Sequence, residues 1–396
     1  MKTNHKAVVL GCNYYIGLSI IRSLGREGVH VTGVHYQEEG AYAFKSKYLS
    51  EKLIAPHHEK EAEAFKDFLI AYARKQDYKP VLFPTADPFV LLIDKYFDEL
   101  TEHYLINQTQ QGFWSDIIDK DKLYLLAHQH NMLVPKSFST EDADLVNKVE
   151  TELGYPCIIK PFDSSSFVSE FRRKLFKINN REELIEKLTA VKEKNIEVAV
   201  QQLIEGFDDH MYTFDAYLNQ DAKVTHWLTA QKQRQYPINF GASVYIKQTY
   251  VPEVVEIGKP FLEAIGYKGF AEIEFKKDAK TGQYYLIEIN ARTTNFNQML
   301  VELGFNMPLL AYKELTGQAI GEKSLQETTD FGFHYMYEDL HASRAYVQSK
   351  QLPLKTILKT YTDKRVGAIW DKKDMKPGIS YVGILLKKVK NKIIRK

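Results

Sequence analysis

The segment GFAEIEFKKDAKTGQYYLIEINAR, residues 269 to 292, limits what this chain can become more than any other stretch. Side chains on an extended strand alternate between faces. Ile287 and Ile289 therefore share one face, and Glu288, Asn290 and Arg292 share the other. Upstream, Phe270 to Phe275 alternates in the same way, and the Lys, Asp and Gly residues between the two runs signal a hairpin. A turn centred near Thr281 sets Glu274 opposite Glu288 and Glu272 opposite Asn290. Like charges directly opposite on a sheet are destabilising, so this pair demands a cation between them. Two carboxylates and an amide carbonyl make an all-oxygen set of the kind Mg²⁺ prefers, usually completed by substrate phosphates. An edge strand with one wet face explains the alternation but leaves the facing carboxylates unexplained. The pattern points to a Mg-nucleotide site.

The rest of the chain gives that site a setting. Its 396 residues suffice for two or three domains, each with a core. A net charge of +2, from 53 basic and 51 acidic residues, supplies no field for nucleic acid. No run reaches the ~18 apolar residues of a membrane span, and the start MKTNHKAVVLG enters a strand directly, so the chain reads as cytoplasmic. Cys12 and Cys157 lie in separate expected domains and make neither a disulfide framework nor a thiolate metal site.

Residues 6 to 36 read as strand, turn, helix, strand, and the alternation continues through VLFPTADPFVLLIDKY, which predicts a parallel α/β domain over the first ~110 residues. Its first turn is GxNxxxG, with Asn13 where a dinucleotide fingerprint has its second glycine, so a tight strand-to-helix turn is the better reading. Thr85 and Asp87, in the loop FPTADPF, are expected to cap the next helix rather than to touch substrate. DKDKLYLLAHQHNMLVPK predicts a helix with an acidic start and a proline stop. LGYPCIIKPFDSSS predicts a strand ending on Lys160 and a small-residue loop whose N–H groups and hydroxyls suit phosphate oxygens. VQQLIEGFDDH follows a charged helix, and TAQKQRQYPINFGAS reads as a loop in which Lys232 and Arg234 are candidates for holding a substrate carboxylate.

In order and spacing these segments resemble the ATP-grasp superfamily over roughly residues 6 to 320. The residues that carry the resemblance are DKLYLLAHQHNMLVPK, YPCIIKP, VQQLIEG, AEIEF and LIEINAR. The length, the GxNxxxG turn, the PFDSSS and EGFDDHM loops and the basic tail are similar to the bacterial carboxylate-amine ligases that include D-aspartate ligase of cell-wall synthesis. The resemblance implies a Rossmann-like parallel-sheet domain (1–118), a two-lobed ATP-grasp domain (119–320, lid lobe about 137–200) and a C-terminal extension with a basic tail (321–396), an α/β and α+β chain. It implies ATP with Mg²⁺ or Mn²⁺ as cofactors. Lys122 and Lys160 would reach the phosphates, and Asp163 to Phe167, with Ser164, Ser165 and Ser166, would close over them. Gln201, Gln202 and Ile204 would hold adenine, and Asp208, or its neighbour Asp209, the ribose. Glu274, Glu288 and Asn290 would bind the metal, and Arg292 would stabilise charge on the transferring phosphate, with Lys160 as its catalytic companion.

The implied activity is an ADP-forming ligase that turns a carboxylate into an acyl phosphate for attack by an amine, with small-molecule acid and amine as partners and a homodimer compatible with them. Carboxylation and thioester formation are the alternatives within the superfamily; outside it stand a non-catalytic ATP-binding protein and an NAD(P)-dependent oxidoreductase, which leaves the carboxylate hairpin and both lysines unexplained. Lys387, Lys388, Lys390, Lys392, Arg395 and Lys396 give the tail enough charge for peripheral contact with anionic membrane, at about 1 kcal/mol per basic residue near the surface.

Overall fold

A computed structural model describes residues 4–394 apart from Thr109 and Asp163, and describes no side chains for Ser164, Ser165 and 392–394. The opening alternation folds as a parallel sheet of four strands in the order Glu51–Ile54, Val31–His35, Ala7–Leu10, Val81–Pro84. Its two central strands are buried along their whole length, as strands covered on both faces must be. The GxNxxxG turn is a packing device. Gly11 has φ +97°, and a Cβ on Gly17 would lie 2.0 Å from the Gly11 carbonyl oxygen, so the helix Tyr15–Gly25 can approach its strand only through glycine.

A second sheet, antiparallel, runs Ser137–Ser139, Val198–Gln202, Cys157–Pro161, Phe176–Ile178, and packs with the helix Arg181–Glu193 over its own small core. The Ser-rich segment is not a loop there. Ser164–Phe171 is a helix, because Phe167 is fully buried against Phe171 and Phe176 and pulls the segment down onto the sheet.

The third sheet has eight strands and carries the hairpin at one edge: Tyr284–Asn290, Gly269–Lys277, Met211–Leu218, Val224–Tyr236, Ala242–Gln248, Gly332–His334 and Arg365–Gly367, with Lys323–Ser324 beside the fourth. Residues after 320 thus complete this sheet rather than only trailing from it. The stretch read as a loop from Thr229 is mostly strand, for Val224–Tyr236 alternates closely enough to bury Lys232, Arg234 and Gln235. The far end of the chain is tied back to its beginning. Arg22, fully buried on the first helix, donates to the Asp374 side chain at 3.0 Å and to the Ile369 and Asp374 carbonyls at 2.9 Å. Among the described residues, no helix is long and apolar enough to cross a membrane.

Candidate active site

The hairpin forms because its turn is satisfied locally. Asp278 Oδ1 accepts from the Lys280 and Thr281 amides at 2.9 and 2.8 Å, and Gly282 takes the left-handed conformation at φ +73°. The register is the one the alternation predicts: Glu274 pairs with Glu288 and Glu272 with Asn290. One residue departs from it. A bulge between Glu274 and Phe275 moves Ile287 out of strict alternation, and it joins Glu288 in lining a cavity.

That cavity, of about 510 Å³, gathers residues from Tyr14 to Asn295. Tyr14 and Ile16 come from the glycine turn, Lys120 from a helix start, Lys160 from the end of its strand, and Gln201, Gln202 and Ile204 from the crossing between lobes. Glu272, Glu274, Glu288, Asn290 and Arg292 form one wall, with Gln235, Asn239 and Phe240 nearby.

The facing carboxylates do not stand bare. Lys232 Nζ lies 2.6 Å from Glu274 Oε2, and Lys120 Nζ lies 2.9 Å from Glu288 Oε2. Lys120 holds the Glu288 carboxyl down at about 2, against the opposing effect of burial. Burial raises Glu274, with Lys232 pulling the other way. Glu272 is pushed up to about 7 by burial and by the neighbouring Glu274. Asp215, opposite Glu272 on the next strand, is also raised, by burial and by Glu272. Lys160 is brought down to about 7 by burial and by the adjacent Lys120 cation. Lys120 and Lys160 thus stand at the Glu288 end of the carboxylate wall, where a polyanion would answer the lysines and a cation the carboxylates.

Arg292 is fixed from two sides. Its Nε donates to Asp87 Oδ1 at 2.8 Å and its second terminal nitrogen to Asn290 Oδ1 at 2.9 Å. Asp87 therefore orients Arg292 across the boundary between sheets instead of capping its helix, and Thr85 donates to the Leu10 carbonyl at 2.6 Å.

Several expected residues stand elsewhere. Lys122 points outward and pairs with the exposed Asp116 at 2.6 Å; two positions around a helix turn the side chain by about 200°. Lys120 enters the cavity instead. Asp208 is buried and committed, accepting from Gln235 Nε2 and the Asn239 amide at 2.9 Å and from the Tyr346 hydroxyl, which leaves it no face for a ribose. Asp209 is exposed beside His210. Arg234 grips Asp339 with two nitrogens at 2.6 and 2.8 Å, because the strand it sits on turns it toward the C-terminal segment. Lys232 does reach the site, as the partner of Glu274 rather than of a free carboxylate. Ser166 is exposed on the lid helix; Asp163 lies outside the described residues, and Ser164 and Ser165 are described only as helical. Gln202 Oε1 accepts from the Lys136 amide at 3.2 Å.

Sequence reasoning missed Lys120, Lys174 and Tyr14. Lys120 had a signal, the acidic helix start DKDK, but not one that tells which of two lysines on nearly opposite faces of the helix turns inward. Lys174, whose Nζ donates to the Phe240 carbonyl at 3.2 Å across the cavity mouth, sits in the run RRK that reads as plain solvated charge.

The comparisons agree with this geometry. Residues 122–310 match the family model described as D-ala D-ala ligase C-terminus. D-aspartate ligase of Enterococcus faecium (strain Aus0004) is 28% identical over 261 residues, 63% of this chain. The chain spans 61% of that relative's length. Among solved structures, the biotin carboxylase domain of Hydrogenobacter thermophilus 2-oxoglutarate carboxylase, in complex with MgADP, ADP and bicarbonate, superposes with a TM-score of 0.64 at 15% identity, over 83% of this chain and 73% of its own. N5-carboxyaminoimidazole synthetase from Staphylococcus aureus superposes with a TM-score of 0.62 at 16% identity, over 82% of this chain and 80% of its own. The same synthetase is also known in complex with ADP. The chain has the ATP-grasp fold, and its residues 122–310 are similar to the D-ala D-ala ligase C-terminal family.

Proposed function

We propose that this chain is an ATP-dependent, ADP-forming carboxylate-amine ligase. The observation that carries the reading is the wall on which Glu274, Glu288 and Asn290 converge while Lys120, paired with Glu288, and Lys160 line the same cavity.

The donor set fits a divalent cation. Among the described residues no cluster of three or more His, Cys, Asp or Glu side chains is placed to hold a metal by itself. Two carboxylates and the Asn290 amide oxygen are instead the incomplete oxygen set that Mg²⁺ shares with nucleotide phosphates. Glu274, Glu288 and Asn290 would hold the ion, which would supply positive charge against the phosphates.

Binding of the triphosphate gives Lys120 and Lys160 a new anion. Gln201, Gln202 and Ile204 line the part of the cavity suited to a flat base. A substrate carboxylate oxygen then attacks the γ-phosphorus; the new O–P bond forms as the bond to the β-phosphate oxygen breaks and ADP leaves. Such transfer asks mainly for positioning and for cations around the equatorial oxygens, and Arg292, held in place by Asp87 and Asn290, supplies one. The acyl phosphate carries a leaving group that a bare carboxylate lacks. An amine nitrogen attacks its carbonyl carbon, inorganic phosphate departs, and the nitrogen loses a proton to give the amide. The intermediate hydrolyses readily, so Lys174 and Phe240 at the mouth have a use in keeping water out.

The name of the Enterococcus relative makes D-aspartate the first acid to test and envelope precursors the first amines. The experiment is ADP release from purified protein over a matrix of amino acids, hydroxy acids, bicarbonate and peptidoglycan precursors, with product mass determined. Amide formation supports the reading. ADP release only with bicarbonate or a thiol moves the chain to another ligase class, and MgATP binding without turnover anywhere in the matrix defeats it.

A further inference from the structure

The last helix presents a face that no other described residue covers. Lys376–Ile394 docks through one side, where Gly378 lies against the Trp370 ring and the Tyr381 hydroxyl meets that of Tyr335 at 2.6 Å. The opposite side runs Met375, Ile379, Val382, Leu386 and Val389, a stripe spaced four, three, four and three residues apart. These side chains are exposed by 45%, 61%, 40%, 65% and 56% of their surface. An apolar helical stripe this open is unusual on a protein that has no cover for it.

Two occupants fit a seam with that spacing, a second copy of the helix or a lipid surface, and charge separates them. No Asp or Glu occurs from Met375 to the last residue, whereas Lys376, Lys387 and Lys390 are exposed on the flanks of the stripe and Lys388 is exposed further round the helix. Lys376 and Lys390 flank the stripe at positions that face the partner in a coiled coil, where two copies would set lysine against lysine with no carboxylate to answer. An anionic bilayer answers all of them at once. Among the described residues only Lys387 meets a carboxylate, Glu39, and at 3.4 Å between two exposed side chains that pair is weak.

We propose that this helix lies in the headgroup plane of an anionic lipid bilayer, apolar stripe inward and lysines at the phosphates. A basic amphipathic helix too short of apolar residues to span binds membranes in this way, by buried apolar area together with attraction to acidic lipid. The attachment is not remote from the cleft. The Tyr335 ring lies 6.4 Å from that of Tyr381 on the helix and 6.5 Å from that of Tyr14 in the cavity wall.

The test is co-sedimentation of the full chain with vesicles of phosphatidylcholine alone and of equal parts phosphatidylcholine and phosphatidylglycerol. Binding only to the anionic vesicles, weakened by added salt, is expected. Ile379→Ser with Leu386→Ser, and separately Lys388→Glu with Lys390→Glu, should each weaken it by roughly ten-fold or more. Both variants alter exposed side chains, and unchanged melting curves establish that they fold. No binding to anionic vesicles, equal binding to both kinds, or wild-type binding by both variants overturns the proposal. So does a dimer in light scattering that the Ile379 and Leu386 changes convert to monomer.

Discussion

Lys232 Nζ stands 2.6 Å from Glu274 Oε2 in a buried pair, so the carboxylate that faces Glu288 across the hairpin meets a cation of the protein's own before any metal arrives. Removing one partner of a buried pair costs about 3–5 kcal/mol, mostly because the other charge is left unanswered. Lys232→Met should therefore lower the melting temperature of the free protein. A ligand that brings its own cation restores the missing charge, so MgADP should raise the variant's melting temperature by more than it raises the wild type's. Equal shifts in differential scanning fluorimetry would count against a metal at Glu274.

Glu288→Gln keeps the shape of the side chain and removes its charge. ADP release should fall by roughly 10²–10³-fold, the usual scale for losing one preorganised electrostatic contact at a reacting phosphate, while the circular dichroism spectrum stays unchanged. Wild-type turnover in this variant would contradict the role proposed for the hairpin.

Lys120 and Lys122 test which face of the helix matters. Lys122→Ala breaks an exposed, solvent-screened ion pair and should leave ATP affinity within about two-fold. Lys120→Ala should weaken ATP binding by roughly ten-fold or more, as expected when a charge-assisted bond to phosphate is lost. Isothermal titration with a non-hydrolysable ATP analogue distinguishes them; equal effects would remove Lys120 from the phosphate site.

Lys160 makes a prediction about protons. Burial and Lys120 bring it to about 7, so at pH 8 it is mostly neutral in the free protein. Phosphate oxygens favour the charged form and raise it, so nucleotide binding at pH 8 should take up a proton. Calorimetry in buffers of different ionisation enthalpy reads that uptake directly. It should vanish in Lys160→Met, and its persistence there would assign the proton to another group.

Arg234 and Asp339 predict stability without activity. Asp339 accepts from both Arg234 and His334, and although burial opposes them they hold its carboxyl at about 2, below the ordinary 3.8. A folded value below the unfolded one gives stability that is complete above the unfolded value and lost as pH falls through the folded one. The contribution should therefore disappear between roughly pH 4 and pH 2, and Asp339→Asn should flatten that part of the acid-unfolding profile. Arg234→Ala should lower the melting temperature, a loss of about 3–5 kcal/mol, while sparing KM for ATP at low temperature. A raised KM with unchanged melting would return Arg234 to the substrate site.

Alternation alone determined the hairpin, because a period of two can satisfy only one register once a face is polar, and that register set Glu274 against Glu288. The same local logic reached Lys160 at its strand end and the glycine-packed first turn. Which of two nearby lysines enters the cavity, that Asp208 is spent on Tyr346 and Gln235, that Arg234 serves Asp339, and that Asp87 braces Arg292 are matters of contacts between residues 27 to 205 positions apart. No local pattern encodes such partners. A charged side chain looks the same in sequence whether it will face a ligand, solvent or a buried counter-ion, and only the packing of one sheet against another decides which.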